Sequence, residues 1–437
     1  MSQRTAATIL QDLIRFDTTN PPGNERPCIE YIDGVLRDAG IETSILAVDP
    51  QRPNLVARLP GTGAAPGLLL FGHVDVVTTA NQQWSVPPFE GRIQDGYIWG
   101  RGALDMKAGV AMMMAALLEA RATGLQPSGD ILFAAVSDEE AGGTMGAKYL
   151  VNEHPSLFEG IRYALGEFGG FPVHIDGRPL YMIQVSEKQP CWLKATIRGP
   201  AGHSARLMRN GAMARLGHVL SRLNRCRLPI HITPVTERMV RAMADALPVH
   251  KRVLFRRLLN PRLTDRILKL LGDTGRNLEP LFRNTVNATM VRGGEGSNVI
   301  PSEIALGLDG RLLPGFGPQD LFAELGAALG EDLDYEVLLY DRGTTEIDFG
   351  LFPLLADVLS RAHPDSHQIP YLFPGGTDGR FFSQLGIQSY GFIPMNLPAS
   401  FGFSDFVHGA DERIPIESME FGAKAMFEVM THFGEVP

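Results

Sequence analysis

The chain has 437 residues, 44% hydrophobic and 20% charged, with a formal net charge of −9. That length allows about two or three domains around a large core, and the acidic balance argues against a general nucleic-acid binder. No run of about 18 apolar residues exists to span a membrane, and the scattered Cys28, Cys191 and Cys226 form no thiolate metal motif, so a reducing compartment, the cytoplasm, is the expected location.

The N-terminal periodicity predicts a helix ending near Asn20-Pro21-Pro22-Gly23, without the apolar segment of a secretion signal. Gly67–Val77, "GLLLFGHVDVV", reads as an apolar strand that turns polar at its end. Met106–Gly124 is almost free of β-branched residues and predicts a strong helix stopped by Gly124. "DILFAAVSDEE" and "RYALGEFGG" (Arg162–Gly170) read as further strands. Strands alternating with helices predict an α/β layer with a mostly parallel, mixed sheet covered on both faces. Ligands in such sheets gather beyond the carboxyl ends of the strands. His73, Glu139 and Glu167 each directly follow an apolar strand core, so all three are expected at one edge.

From about Val185 the pattern changes. "CWLKATIRG" predicts a strand, "NGAMARLGHVLSRLNR" a helix, Thr285–Val291 and Glu303–Leu312 two strands, "QDLFAELGAALGE" a helix and "DYEVLLYD" a strand. The order β-α-β-β-α-β is the ferredoxin-like arrangement. After Asp341 the alternating texture returns, with "IQSYGFIP" as a strand and "PIESMEFGAKAMFEVMTHF" as a closing helix. The expected organisation is a discontinuous α/β domain, 1–185 and 341–437, interrupted by an inserted α+β domain, 186–340. Residues 231–283 exceed what that small fold needs; they read as locally basic helices with solvated Arg/Lys faces, or as a lid, a subunit contact or an apolar surface for greasy substrates.

The predicted sheet edge gathers His73, Asp75, Asp105, Glu139, Glu140 and Glu167, and the loop "FVHGADE" adds His408. Imidazole and carboxylate without thiolate suit zinc, cobalt or manganese in a hydrolytic site. Two such ions need a bridging carboxylate and ligands on both flanks, which this set could supply. Within "VSDEEAGG" the residues alone leave open which of Asp138, Glu139 and Glu140 holds an ion and which does chemistry. G-x-S-x-G and H-E-x-x-H are both absent, so neither a nucleophile elbow nor a single-zinc protease helix is supported.

"GHVDVV", "WSVPPFEGRIQDGYIWGRGALDMKAG", "SDEEAGG", "GEFGG" and "FVHGADERIP" resemble, in order, the signature blocks of the M20 metallopeptidase/aminoacylase family. The resemblance spans essentially the whole chain. It implies two divalent ions, zinc first among the candidates, with His73 and Glu167 at one, Glu140 and His408 at the other, and Asp105 bridging. It implies Asp75 as the carboxylate that fixes the His73 imidazole, a non-proline cis peptide after Asp105, and Glu139 as the general base. Glu139 would take a proton from water and hand it to the leaving amine of a cleaved amide. Side chains of an extended segment alternate, so adjacent Glu139 and Glu140 could face different targets. Asp138 receives no family role; hydrogen bonding within the loop is its expected use.

In the inserted region, "GPAGHSA" resembles the family segment whose histidine, here His203, reaches the partner subunit's active site, which implies a homodimer. "GSNVIPSEIALGLDGRLLPG" and "FPGGTDGRFF" resemble two substrate blocks. They point to Asn298, to Arg311 as a fork for an α-carboxylate, and to Gly375 and Gly376 for close backbone approach. Hydrolysis of N-acyl amino acids is the favoured reading, with C-terminal peptide or dipeptide cleavage as neighbours.

Overall fold

The computed structural model describes residues 4–175 and 177–435. Its largest element is a nine-stranded sheet. The order from one edge is Glu42–Leu46, Asn54–Leu59, Ile131–Val136, Gly67–His73, Ile161–Gly166, Gln388–Gly391, Arg178–Glu187 and His367–Phe373, with Phe171–Ile175 paired to Arg178–Glu187. The four strands Ile131–Val136, Gly67–His73, Ile161–Gly166 and Gln388–Gly391 run parallel at its centre, and antiparallel pairs flank them. The strand His367–Phe373 was not legible in the sequence because Pro370 interrupts it; at the end of the sheet a missing donor is tolerated.

Alternation along the central strands builds two cores. Leu68, Leu70, Phe133 and Ala135 face helices Ala6–Ile14, Lys107–Thr123 and Ile416–His432, whereas Leu69, Phe71, Leu132 and Ala134 face Ala147–Glu153 and Gly379–Phe382. Helix Lys107–Thr123 is buried almost all round, which its run of Ala and Met permits, and Gly124 ends it at φ 69°. Near-complete burial explains why this helix carries no clean polar face.

At residue 188 the chain leaves the large sheet and enters a four-stranded antiparallel one, ordered Thr285–Arg292, Glu303–Leu312, Gln189–Arg198, Asp334–Tyr340. Helices Ala212–Arg225 and Pro318–Leu329 supply its core through Leu216, Val219, Leu321 and Leu325, completing the ferredoxin-like order. Lys188 marks the crossing: its buried ammonium donates to the carbonyls of Pro280 (3.1 Å) and Arg283 (3.0 Å) and to Thr285 Oγ1 (2.9 Å).

One segment of the inserted region packs on the large sheet. Residues 231–283 lie inside the expected limits of the inserted domain, yet their buried side chains join the core of the large sheet. Val235, Met239, Val240 and Met243 of helix Pro234–Ala246 share an apolar cluster with Tyr181 and Ile369, covering the outer end of that sheet. Amphipathic spacing could show that this helix had an apolar face, but not which sheet would receive it.

Candidate metal centre

The parallel register sets His73 beside Val136, so the segments after both strands, and the one after Gly166, emerge at one edge. Two clusters form there. His73 Nε2 lies 3.1 Å from Asp105 Oδ1 and 3.3 Å from Glu167 Oε2. His408 Nε2 lies 3.1 Å from Asp105 Oδ2 and 3.2 Å from Glu140 Oε1. Asp105 thus gives one oxygen to each group, and in each the three ligand atoms lie within 4.8 Å of one another. The peptide after Asp105 is cis.

These residues fit divalent cations by two observations. Glu140 Oε1 and Glu167 Oε2 are buried acceptors without a hydrogen-bond donor, a costly arrangement unless a cation supplies the partner. Burial pushes the Glu167 carboxyl up to about 8, although His73 pulls the other way. Burial would also raise Asp105, but hydrogen bonds from His408 and His73 hold it below the usual carboxylate range. Contacts with Asp105 and then Glu140 push His408 up to about 10. The carboxylates of this edge call for positive charge, and nitrogen and oxygen donors without sulfur match zinc, cobalt or manganese.

The loop with the three acids is not extended. Asp138 sits in the left-handed region at φ 74°, and Glu139–Ala141 is a single 3-10 turn. The acids part company through this turn rather than through strand alternation. Glu140 points to His408, while Glu139 stands 3.9 Å from the Arg380 guanidinium. Burial, and then the charge of Glu167, pushes the Glu139 carboxyl well above its usual range. Asp138 turns inward to a buried ion pair with Arg52 (2.9 Å) and takes hydrogen bonds from Thr144 Oγ1 (3.0 Å) and the Met145 N–H (3.0 Å). Arg52 is in turn held by Glu25 at 2.6 Å.

Asp75 stays beside the His73 imidazole and takes further partners. The hydrogen bond of His73 Nδ1 runs to the main-chain carbonyl of Asp75 (2.9 Å), and the nearer carboxylate oxygen is 3.6 Å away. The carboxylate accepts Asn20 Nδ2 (2.8 Å) and the N–H groups of Glu139 and Glu140 (3.1 Å each). It therefore orients the base-and-ligand loop and the imidazole together, the outer support that metal ligands depend on.

Two supporting residues escaped the sequence reading. Glu412, fully buried, accepts the N–H groups of Leu104 (2.7 Å), Asp105 (3.1 Å) and Gly102 (3.2 Å) and pairs with Arg101 at 2.6 Å. It fastens the His408 loop to the Asp105 loop. Arg380 lies within "FPGGTDGRFF", where the glycines drew attention; it bonds the carbonyls of Thr377 (2.6 Å) and Gly142 (3.2 Å) and reaches Asp341 (3.3 Å). Gly376 borders it, since a Cβ there would stand 3.9 Å from its Nη1, while a Cβ on Gly375 would meet the Phe373 ring at 2.5 Å. An arginine inside a glycine-rich block next to an acid was the available signal.

His203 and Asn298 come together on the small domain, where the ribbon Gly202–His203 pairs with Val299–Ile300 and Ser204 N–H bonds the Asn298 carbonyl at 3.0 Å. Both are exposed. Arg311 forks onto Asp309 of its own strand (2.9 and 3.1 Å).

The model of peptidase family M20/M25/M40 matches residues 69–432. The chain belongs to that family. It is 28% identical over 80% of its length to the probable carboxypeptidase S-like 2 of Dictyostelium discoideum, covering 68% of that protein. It is 24% identical over its whole length to aminoacylase-1 of Sus scrofa, covering 97% of it. Among solved structures, the M20 family metallo-carboxypeptidase Sso-CP2 of Sulfolobus solfataricus shares the fold, with a TM-score of 0.70, 18% identity and 99% of each chain covered. This M20 member is therefore a hydrolase of amide or peptide C–N bonds with a candidate metal site at the His73–His408 edge. Among its described residues no helix is long and apolar enough to cross a membrane.

Proposed function

We propose that this M20 protein hydrolyses N-acyl amino acids, with His73, Glu167, Asp105, Glu140 and His408 holding two divalent ions and Glu139 as general base. The observation that carries the reading is Asp105, whose two oxygens serve two separate histidine–carboxylate pairs. Ions bound there would polarise an amide carbonyl and lower the pKa of water, with zinc the first candidate and cobalt or manganese next. Glu139 takes the proton from the attacking water and delivers it to the leaving amine. Asp75 keeps Glu139 and Glu140 in register during the transfer, because both main-chain N–H groups end on its carboxylate.

Asn298 and Arg311 serve the substrate from the small domain; Arg311 leaves Asp309 when a substrate α-carboxylate offers the same fork. Gly375 and Gly376 let the substrate approach beside Arg380. His203 acts from the partner subunit of a homodimer, stabilising negative charge on the carbonyl oxygen. Three free cysteines, two of them buried, fit a reducing compartment such as the cytoplasm.

The likeness to a carboxypeptidase S-like protein favours a second reading, cleavage of a C-terminal residue from short peptides. The deciding experiment is amine release from N-acyl amino acids, their α-amides and dipeptides by the zinc-loaded protein. Turnover of acyl amino acids with loss on α-amidation supports the first reading, and turnover of dipeptides alone supports the second. No turnover of either class sinks both.

A further inference from the structure

His408 is held differently from the ligands around His73. His73, Asp105 and Glu167 are buried, whereas 49% of the His408 side chain is exposed, on a loop between the short helix Phe403–Phe406 and the strand Arg413–Pro415. His408 (φ 61°) and Asp411 (φ 59°) both occupy the left-handed region. A β-carbon makes that conformation costly, and it persists only where the surroundings over-determine it. Here they come from a loop 326 residues earlier in the chain. Gln82 Nε2 donates to the His408 carbonyl (2.8 Å), and Gln82 Oε1 accepts from Trp84 Nε1 (3.1 Å) and Arg101 Nη2 (2.7 Å). Indole and guanidinium only donate and a carbonyl only accepts, so these partners fix the amide one way round. Arg101 Nη2 also reaches the His408 carbonyl at 3.3 Å, and its guanidinium lies 5.2 Å from the centre of the Trp84 ring. Ser85 grips Asp411 twice, its N–H on Oδ1 and its Oγ on Oδ2, at 2.7 Å each. Gln82 is half-buried and Ser85 exposed, so neither builds the core.

We infer that Gln82 and Ser85 are positioning residues for His408, and that they set how tightly the ion shared by His408, Glu140 and Asp105 is kept, while the ion at His73 and Glu167 does not depend on them. The inference rests on the proposed two-ion reading. Its physical basis is the entropy of ordering. An imidazole on an exposed loop must be fixed in one place before it can serve as a ligand, and the cost of fixing it counts against binding. The bonds from Gln82, Arg101 and Ser85 fix it beforehand through the main chain and Asp411, leaving the ring nitrogen free for the ion. His73 has no need of such a clamp. It ends a fully buried strand, Gly67–His73, and its Nδ1 is held by the carbonyl of Asp75 two residues on.

The test equilibrates zinc-loaded parent and variant proteins against buffers of graded free zinc and counts the retained metal by elemental analysis. The parent should hold two zinc ions per chain, and His408→Ala should identify which of the two steps belongs to the His408 ion. In the double variant Gln82→Ala/Ser85→Ala that step should move to about 10–100-fold higher free zinc, with the other step where the parent has it. Ser85→Thr keeps the hydroxyl and the N–H and should behave as the parent, which a mere need for a small residue at this position would not produce. An unmoved His408 step in the double variant overturns the clamp and leaves the two-ion reading standing. Equal weakening of both steps also overturns it, since that would be general loosening. A parent that holds fewer than two ions overturns the two-ion reading and the clamp with it.

Discussion

Arg52 holds Asp138 in a buried ion pair at 2.9 Å, and this bond sets the turn that carries Glu139 and Glu140. Arg52 has its own anchor in Glu25, so removing the guanidinium strands two buried carboxylates. Breaking a buried pair on one side costs about 3–5 kcal/mol. Arg52→Met should therefore lower the unfolding free energy, measured in urea, by that order. Asp138→Asn, which keeps acceptor and shape, should cost less stability yet reduce kcat, because the turn loosens. An Arg52→Met protein as stable as the parent would show that the pair is not what holds the loop.

Glu139→Gln keeps the size of the side chain and its main-chain bond to Asp75 while removing the base. The expected loss in kcat is about 10²–10⁴-fold with metal content unchanged by elemental analysis. Normal turnover in a metal-replete Glu139→Gln protein would contradict the assignment of the base.

Chelation should destabilise as well as inactivate. Without cations the carboxylates of Asp105, Glu140 and Glu167 crowd one edge, and two of them carry buried, unpartnered oxygens. Restoring free zinc to about a hundredfold over its Kd should return about 2.7 kcal/mol per site, read as a rise in melting temperature. A melting curve indifferent to chelator and to added zinc would argue against ion binding at this edge.

Glu187 predicts a pH effect on stability away from the ions. Burial pushes its carboxyl up to about 7 from an ordinary value of 4.5, outweighing Arg380 and the hydrogen bonds from Thr377. Between those two values the folded chain holds a proton that the unfolded chain has released. Stability contributed by this group is therefore fully present below pH 4.5 and is lost as pH rises through about 7. Glu187→Gln can still accept from Thr377 and never ionises. It should melt above the parent at pH 8 and close to it at pH 4.5, and the reverse order would refute an upward shift.

Subunit complementation tests His203. Co-expressed His203→Ala and Glu139→Gln chains should regain about a quarter of parental activity, since half of randomly assorted dimers hold one site with both groups. No recovery in a mixture shown to contain heterodimers would place His203 outside catalysis.

The sequence by itself determined the strand ends and what stands on them. Apolar runs such as "LLLFG" and "ILFAAV" must be buried, and the polar residues that follow must surface at the strand's carboxyl end; this is local chemistry, legible without coordinates. That logic placed His73 and Glu167 at one edge, and the resemblance of the motif blocks named Asp105, Glu140 and His408 beside them. Tertiary structure decided everything that depends on a partner distant in the chain. Glu412 meets the Leu104 and Asp105 N–H groups across more than 300 residues, and Arg52 meets Asp138 across 86. The Asp75 carboxylate serves the Glu139 turn as well as the imidazole because that turn, invisible to strand periodicity, delivers two N–H groups to it. Helix Pro234–Ala246 covers the large sheet rather than the small one because burial favours apolar contact wherever packing closes, and periodicity carries no address.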